Sequence, residues 1–406
     1  MRYSRRSVLR STLAVPAILM ETRNGRAAES MSVGVLREIV AKTRHAYSLP
    51  AMGAAVFAQG EMRDVAVTGL RKWESQSPAA VDDPFHLGSC TKAMTATMLA
   101  VLAHEQVLRP NDTLGDVFGD ELRQLHDDYR GVTIADLMTH RGGCPKDTLP
   151  NFSLWDVHHF PGASPDQRRE LARRVLTQPA PFRPGTFHYS NCGYALAAAC
   201  AELVTGLSWE RLMREIVFRP LGMNSAGFGP MGTPGRIDAP WQHRWRDGNP
   251  VPIEPVRRND NPPAMWPAGG IHASLIDWAK FVFFHMSEGG LLEAPTEVAC
   301  NADTNANERT ANVVSATVKD LDASEIRFLH VPPEGTDYAW GWRIVQRAWA
   351  HGPVLTHSGS NTMNYAVVWC SPADAFFVLV VTNCGGEAAA RACDVVAAET
   401  IRTYLD

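Results

Sequence analysis

Phe85-His86-Leu87-Gly88-Ser89-Cys90-Thr91-Lys92 runs on into Ala93-Met94-Thr95-Ala96-Thr97-Met98-Leu99-Ala100-Val101-Leu102, and the reading of this stretch decides the fold. Its first part has the composition of a short strand ending at Gly88. Its second part reads as a helix opening at or near Ser89, so rich in Ala, Met and Leu that burial on most sides is expected. Yet the first turn carries a hydroxyl and an amine. Ser89 and Lys92 share one helical face, one turn apart. A buried Lys without an acidic partner tends to lose its proton. A neutral amine beside a hydroxyl can act as the base that makes it nucleophilic. Backbone N–H groups at a helix start favour negative charge developing at the same spot. The S-x-x-K spacing alone more often marks an N-capping Ser and a solvated Lys, so the rest of the chain must decide.

The chain has 406 residues, 45% hydrophobic and 20% charged, enough for a large core and two lobes. It contains no apolar run of the ~18 residues that a membrane span requires. Ser4-Arg5-Arg6-Ser7-Val8-Leu9-Arg10, before the apolar run Leu13 to Met20, resembles a twin-arginine export signal. Gly25-Arg26-Ala27 offers small residues for cleavage after Ala27, so residues 1–27 are expected to be a signal peptide and the body exported, periplasmic or secreted. The alternatives are a basic tail or a true start at Met31, which would leave the protein cytoplasmic. Residues 1–27 carry a net charge of +5, so the body carries −9 against −4 for the whole chain. An acidic body argues against nucleic acid as partner.

The eight Cys include Cys200 and Cys370 in apolar surroundings, and buried small hydrophobes are the expected reading for most of them. No C-x-x-C pair occurs, and His158-His159 lacks neighbouring ligands at metal spacing, so no metal or cofactor is expected.

Strand signals gather at the two ends. Ala51 to Ala58 and Met62 to Leu70 form a hairpin around Gln59-Gly60, and Trp340 to Val345, Val354 to Ser358, Tyr365 to Cys370 and Phe376 to Thr382 follow near the C-terminus. Met31 to His45 and Ala388 to Leu405 read as flanking helices, while Thr133 to His140, Gln167 to Leu176, Tyr194 to Thr205, Ser208 to Val217 and Ala273 to Met286 read as helices in the middle. The expected fold class is α+β. An antiparallel sheet flanked by helices is built from residues 28–88 and 336–406, with a mainly helical lobe inserted at 89–292 and a cleft between them. Phe228 to Pro267 reads as a long irregular excursion of the kind that lines a site. Residues 293–335 are left unplaced.

Two further segments carry chemistry. Tyr189-Ser190-Asn191 follows the Pro184-Gly185 turn, so in a tight loop Tyr189 and Asn191 face the same way. A Tyr whose proton is drawn off by nearby positive charge is a competent base, and an Asn amide both donates and accepts. His357-Ser358-Gly359-Ser360 ends a strand. Gly359 there allows close backbone approach, and an edge N–H can serve an oxyanion.

In this order and context the three motifs, with Leu137-Met138-Thr139-His140, Pro220-Leu221-Gly222-Met223, Ala268-Gly269-Gly270-Ile271 and Tyr338-Ala339-Trp340-Gly341-Trp342, resemble the penicillin-recognising serine hydrolases: class C β-lactamases, D-alanyl-D-alanine carboxypeptidases and related esterases. The resemblance implies a β-lactamase/transpeptidase-like fold and a role for each matching position. Ser89 would be acylated by the substrate carbonyl. Lys92 and Tyr189 would share the proton transfers. Asn191 would orient substrate. His357 would hold positive potential near Tyr189 or a substrate carboxylate, and Ser358, Gly359 and Ser360 would line the bound substrate, with the N–H groups of Ser89 and Ser360 as oxyanion hole.

The expected reaction is hydrolysis of a small-molecule or peptide ester or amide through an acyl-enzyme. A His where many β-lactamases have Lys favours an esterase or D-amino-acid peptidase over a dedicated β-lactamase. Two other readings remain: a catalytically silent binding or sensor protein on the same fold, and a cysteine hydrolase through Cys90. Cys90 would point about 100° around the helix from Ser89 and so into the core.

Overall fold

Strand-forming runs at opposite ends of the chain pair with each other in the computed structural model, which describes residues 34–147, 153–288 and 314–405. The strands are β1 (Ala51–Ala58), β2 (Glu61–Gly69), β3 (Phe85–His86), β4 (Gly227–Phe228), β5 (Gln242–Arg246), β6 (Asn249–Ile253), β7 (Ile271–Ala273), β8 (Arg343–Val345), β9 (Val354–Ser360), β10 (Tyr365–Ser371) and β11 (Phe376–Thr382). A six-stranded antiparallel sheet runs β2-β1-β11-β10-β9-β8. The two most apolar strands, β1 and β11, pair at its centre from Met52↔Thr382 to Phe57↔Phe377, and both are buried throughout.

Alternation along these strands feeds two cores. Met52, Ala54, Val56, Val378 and Val380 meet Leu36 and Val40 of the helix Val35–Ala46 and Ala389, Ala392, Cys393 and Val396 of the helix Glu387–Tyr404. Ala55, Phe57, Phe377, Leu379 and Val381 enter a larger core shared with the helices Thr91–His104, Asn191–Thr205 and Leu275–Glu288. The expected mixture of antiparallel sheet and helices is the one observed.

The helix after Ser89 is buried at every residue from Thr91 to Leu102, as its composition requires. It begins later than expected. A 3-10 turn, Gly88–Cys90, intervenes, so Ser89 lies in this turn and not in the α-helix. Polar side chains on the helix are used to hold the segment opposite: Ile271 N–H donates to Thr91 Oγ1 (3.0 Å) and Thr95 Oγ1 donates to the Pro267 carbonyl (2.8 Å).

Other expectations need correction. The helix predicted to begin at Tyr194 begins at Asn191, because Ser190 caps it by accepting the Gly193 N–H at 2.9 Å. The stretch Ser208 to Val217 is α-helical only over Trp209–Leu212 and then widens into a π-helical turn, Met213–Phe218. Residues 228–267 are not wholly irregular, since β5 and β6 form a hairpin there. Its turn residues Asp247 (φ 52°) and Gly248 (φ 79°) both take positive φ, as a tight two-residue hairpin turn demands.

The expected signal peptide and residues 293–313 lie outside the described residues. Residues 314–335 sit at the far end of the Ser89 helix. Ala316 N–H and Ser315 Oγ donate to Glu105, and His104 meets Glu325 at 2.9 Å. At 1.5 Å rise per residue His104 lies about 18 Å along the helix from Lys92, so these contacts anchor residues 315–325 at the end remote from Lys92. The seven described Cys are buried and unpaired. No single helix among the described residues is long and apolar enough to cross a membrane.

A buried ion cluster ties the helix Ser164–Leu176 to its neighbours. Arg168, fully buried, binds Glu202 (2.6 Å), Glu210 (2.8 Å) and the Pro263 carbonyl (2.9 Å). Arg168→Ala would leave two carboxylates without their cation, and a loss of about 3–5 kcal/mol is expected by denaturant unfolding. A loss below about 1 kcal/mol would show that water reaches the cluster.

Candidate active site

Two glycines let the nucleophile turn and β9 meet backbone to backbone. A Cβ on Gly359 would lie 2.0 Å from the Leu87 carbonyl oxygen and 2.6 Å from the Ser89 nitrogen. One on Gly88, at φ +50°, would lie 2.3 Å from the Ser360 nitrogen. No side chain fits at either place. β8 pairs only with Val354 to Thr356, so from His357 onward the edge of β9 facing away from β10 has no strand partner. The turn Gly88–Cys90 packs against β9 there, which sets the N–H groups of Ser89 and Ser360 on facing backbones.

Lys92 is fully buried. Its Nζ lies 3.0 Å from Ser89 Oγ, 2.6 Å from Asn191 Oδ1 and 2.7 Å from the Ala268 carbonyl oxygen. Burial lowers its pKa to about 7, with Asp147 opposing the shift. The surroundings suit a neutral amine: two oxygens that can only accept take its two hydrogens, and the lone pair is left for the Ser89 hydroxyl. Asn191 is held in turn, because its Nδ2 donates to Asp147 at 2.6 Å. Both ends of the Asn191 amide are therefore engaged, and it holds Lys92.

The Tyr189 ring lies beneath Lys92, 4.8 Å from Nζ, and Ser89 is a near neighbour of its hydroxyl. Burial raises the Tyr189 pKa, and no neighbouring charge reverses that. The expectation that positive charge draws off its proton is thus overturned. The phenol rests protonated, and the lysine amine is the base at hand.

His357 also departs from expectation. It is buried, Tyr338 OH lies 3.0 Å from its Nε2, and its Nδ1 lies 2.6 Å from the Ser358 carbonyl. Because only a donor can face that carbonyl, Nδ1 carries the proton and Tyr338 donates to Nε2. Burial, with Lys92 nearby, lowers the His357 pKa to about 3. The side chain is neutral and supplies hydrogen bonds, not positive potential.

The structure brings Ser89, Lys92 and Asn191 into one hydrogen-bonded group, with the Tyr189 ring packed against the amine. Gly359 and Ser360 flank it through their backbone. The Ser360 hydroxyl turns away, donating to the Asn364 carbonyl at 2.7 Å, and Ser358 is exposed. Cys90 is buried, burial raises its thiol pKa, and its Sγ points at the His357 carbonyl 3.5 Å away. The cysteine-nucleophile reading therefore loses its thiolate.

Sequence reasoning gave no role to Asp147, the Ala268 carbonyl, Tyr338 or His140. His140 clamps the Tyr189 loop from two sides. Its carbonyl accepts the His188 N–H (2.8 Å), its Nδ1 accepts the Ser190 N–H (3.1 Å), and its ring lies 4.3 Å from that of Tyr189. Three of these residues fall in phrases noted above, but their meaning needed the third dimension. Among the described residues no group of three or more potential ligands could hold a metal.

The Beta-lactamase family model matches residues 36–401, and the chain belongs to the beta-lactamase family. It is 30% identical over 195 residues to an unguisins hydrolase of Aspergillus campestris, a match covering 46% of this chain and 35% of that protein. The chain thus spans about a third of the length of that relative. It is 22% identical over 347 residues to penicillin-binding protein 4 of Amycolatopsis lactamdurans, covering 84% of this chain and 83% of the other. The solved structure of SurE shares the fold with a TM-score of 0.70 at 19% identity, covering 93% of this chain and 77% of that one. Carboxypeptidases and esterases are among the relatives, and members of the family are serine hydrolases.

The geometry at Lys92 has a direct spectroscopic consequence. In protein carrying ¹³C at the lysine side chains, one ε-carbon signal, absent from Lys92→Met, should titrate near pH 7. A Lys92 signal that titrates with the solvated lysines near pH ~10.4 would contradict the burial argument.

Proposed function

We propose that this member of the beta-lactamase family hydrolyses an ester or a peptide-type amide through an acyl-enzyme on Ser89. The observation that carries the proposal is the contact between Lys92 Nζ and Ser89 Oγ at 3.0 Å, with the amine otherwise facing two acceptors only. Neutral Lys92 takes the hydroxyl proton as Ser89 Oγ attacks the substrate carbonyl carbon. The negative charge moves to the carbonyl oxygen, where the N–H groups of Ser89 and Ser360 would receive it. Tyr189 gives its proton to the departing oxygen or nitrogen and is reprotonated from Lys92. Water then attacks the Ser89 ester, and the same groups run in reverse to release the acid.

Ester or D-amino-acid peptide substrates are favoured over β-lactams because His357 is neutral. It stands where many β-lactamases have Lys and adds no fixed positive charge for a β-lactam carboxylate.

A fluorophosphonate probe should label Ser89 in the wild-type protein and leave Ser89→Ala unlabelled. A label that persists in Ser89→Ala sinks the mechanism. The kcat/KM of Ser89→Ala for p-nitrophenyl acetate should fall by about a thousandfold or more. A folded wild-type protein that turns over neither this ester, a D-alanyl peptide nor a chromogenic cephalosporin would favour the silent-sensor reading. A cephalosporin kcat/KM above that of the ester and the peptide would reverse the substrate preference.

The pH profile follows from Lys92. Only the neutral amine accepts a proton, so kcat/KM should rise with pH through an apparent pKa near 7 and level off above it. Tyr189→Phe should lower kcat by roughly 10²- to 10⁴-fold, with the rise near pH 7 retained. A profile that is flat from pH 5 to 9 would remove Lys92 as the base.

A further inference from the structure

A second pair of buried titratable groups lies beside the nucleophile turn and takes no part in the chemistry above. His86 Nε2 and Asp260 Oδ2 are 3.2 Å apart, with both side chains fully buried. His86 Nδ1 accepts the N–H of Gly88 at 3.1 Å, so the ring proton sits on Nε2, the nitrogen beside the carboxylate, without the alignment of a full hydrogen bond. The other carboxylate oxygen, Oδ1, takes the Asn261 N–H at 2.8 Å and the Asn361 side-chain amide at 2.7 Å. Asn361 follows Ser360 directly, and Gly88 precedes Ser89. A chain of side-chain contacts, Gly88–His86–Asp260–Asn361, therefore joins the backbones that bear the two oxyanion donors. The glycine contacts at Gly88 and Gly359 join those same backbones directly.

A carboxylate buried this deeply beside a neutral imidazole adds little net stability, because desolvation offsets most of the attraction. The contribution of this pair is better sought in geometry. The two N–H groups come from segments far apart in sequence, and the glycine contacts alone allow sliding along the strand. A side-chain link spanning the contact, in which His86 Nε2 and Asp260 Oδ2 lie 3.2 Å apart and have no other partner, removes that freedom.

We propose that His86 and Asp260 are positioning residues that hold the N–H groups of Ser89 and Ser360 at one spacing around the developing oxyanion. The proposal rests on the acyl-hydrolase reading above. Preorganised donors act only when aimed at the oxyanion itself, and a misplacement of about 1 Å can cost about 10²-fold.

Three substitutions separate the links. His86→Asn can still accept the Gly88 N–H but is too short to reach Asp260. His86→Gln can reach Asp260 but leaves that N–H unpaired. Asp260→Asn keeps the shape and removes the charge. The rate is measured with p-nitrophenyl acetate, per active site counted by fluorophosphonate titration. Each folded variant should lose about 10- to 100-fold in kcat with KM changed by less than about threefold. Affinity for phenylboronic acid, whose tetrahedral Ser89 adduct places an oxygen between the two N–H groups, should weaken in step. A merely structural role would lower the melting temperature and the count of active sites and leave the rate per site alone.

Should the variants fail to fold, histidine ¹⁵N NMR on the unsubstituted protein decides. His86 should be the Nε2-protonated tautomer, and its Nε2 resonance should move when Ser89 is phosphonylated. Rates per site and boronate affinities within about twofold of wild type, or an Nδ1-protonated or unresponsive His86, overturn the inference. A wild-type protein that neither turns over ester nor takes the label fails the acyl-hydrolase reading instead, so the two failures are distinguishable.

Discussion

Lys92 sits with its amine between two acceptor oxygens and a hydroxyl, on a helix that water does not reach. An ammonium in that position loses most of its hydration, and Asp147, which touches Asn191 and not the amine, restores only part of the loss. The rest of the site follows from this imbalance. An amine that titrates near neutrality can take a proton and give it back, whereas a solvated lysine holds its proton at any ordinary pH. Tyr189 is shifted by the same burial in the opposite chemical sense. Desolvation disfavours its anion, so the phenol keeps its proton and can donate one. One low-dielectric environment thus separates an acid from a base without any metal-type charge.

Burial of this kind needs walls, and the walls come from distant parts of the chain. The helix carrying Lys92 is covered by the segment bearing Ala268 and by the helix that opens at Asn191, while β9 closes the side where the Ser89 and Ser360 backbones meet. At Gly88 and Gly359 the approach is so close that a methyl group would overlap backbone atoms. The central pairing of β1 with β11 sets the position of β9, because β10 and β9 are built outward from β11. A sheet drawn from both chain ends therefore places a strand edge against a turn some 270 residues away in sequence.

Much of this was legible from the residues alone. The apolar strands at each end, the fully apolar helix after Ser89 and the Thr133 cap all announce themselves by local pattern, which short-range sterics and burial impose directly. Ser89, Lys92, Tyr189 and Asn191 could be singled out only because three motifs in order, with their connecting phrases, resemble a known family; neither S-x-x-K nor Tyr-x-Asn is specific by itself. The hairpin of β5 and β6 was less legible. Its strands carry Pro250 and Pro252 and the charged Arg244 and Arg246, so neither reads as an alternating apolar run, and only Asp247-Gly248 marks the turn.

The sequence by itself determined which side chains could do chemistry, because nucleophile, amine and phenol are properties of residue type and local spacing. Tertiary structure alone decided their charge states. His357 was expected to be a cation and is a neutral hydrogen-bonding group. Tyr189 was expected to lose its proton and keeps it. Asn191 holds Lys92, a contact that no spacing along the chain announces. Charge depends on how much water remains and on which dipoles and charges lie within a few ångströms, and those neighbours come from segments that no spacing along the chain brings together.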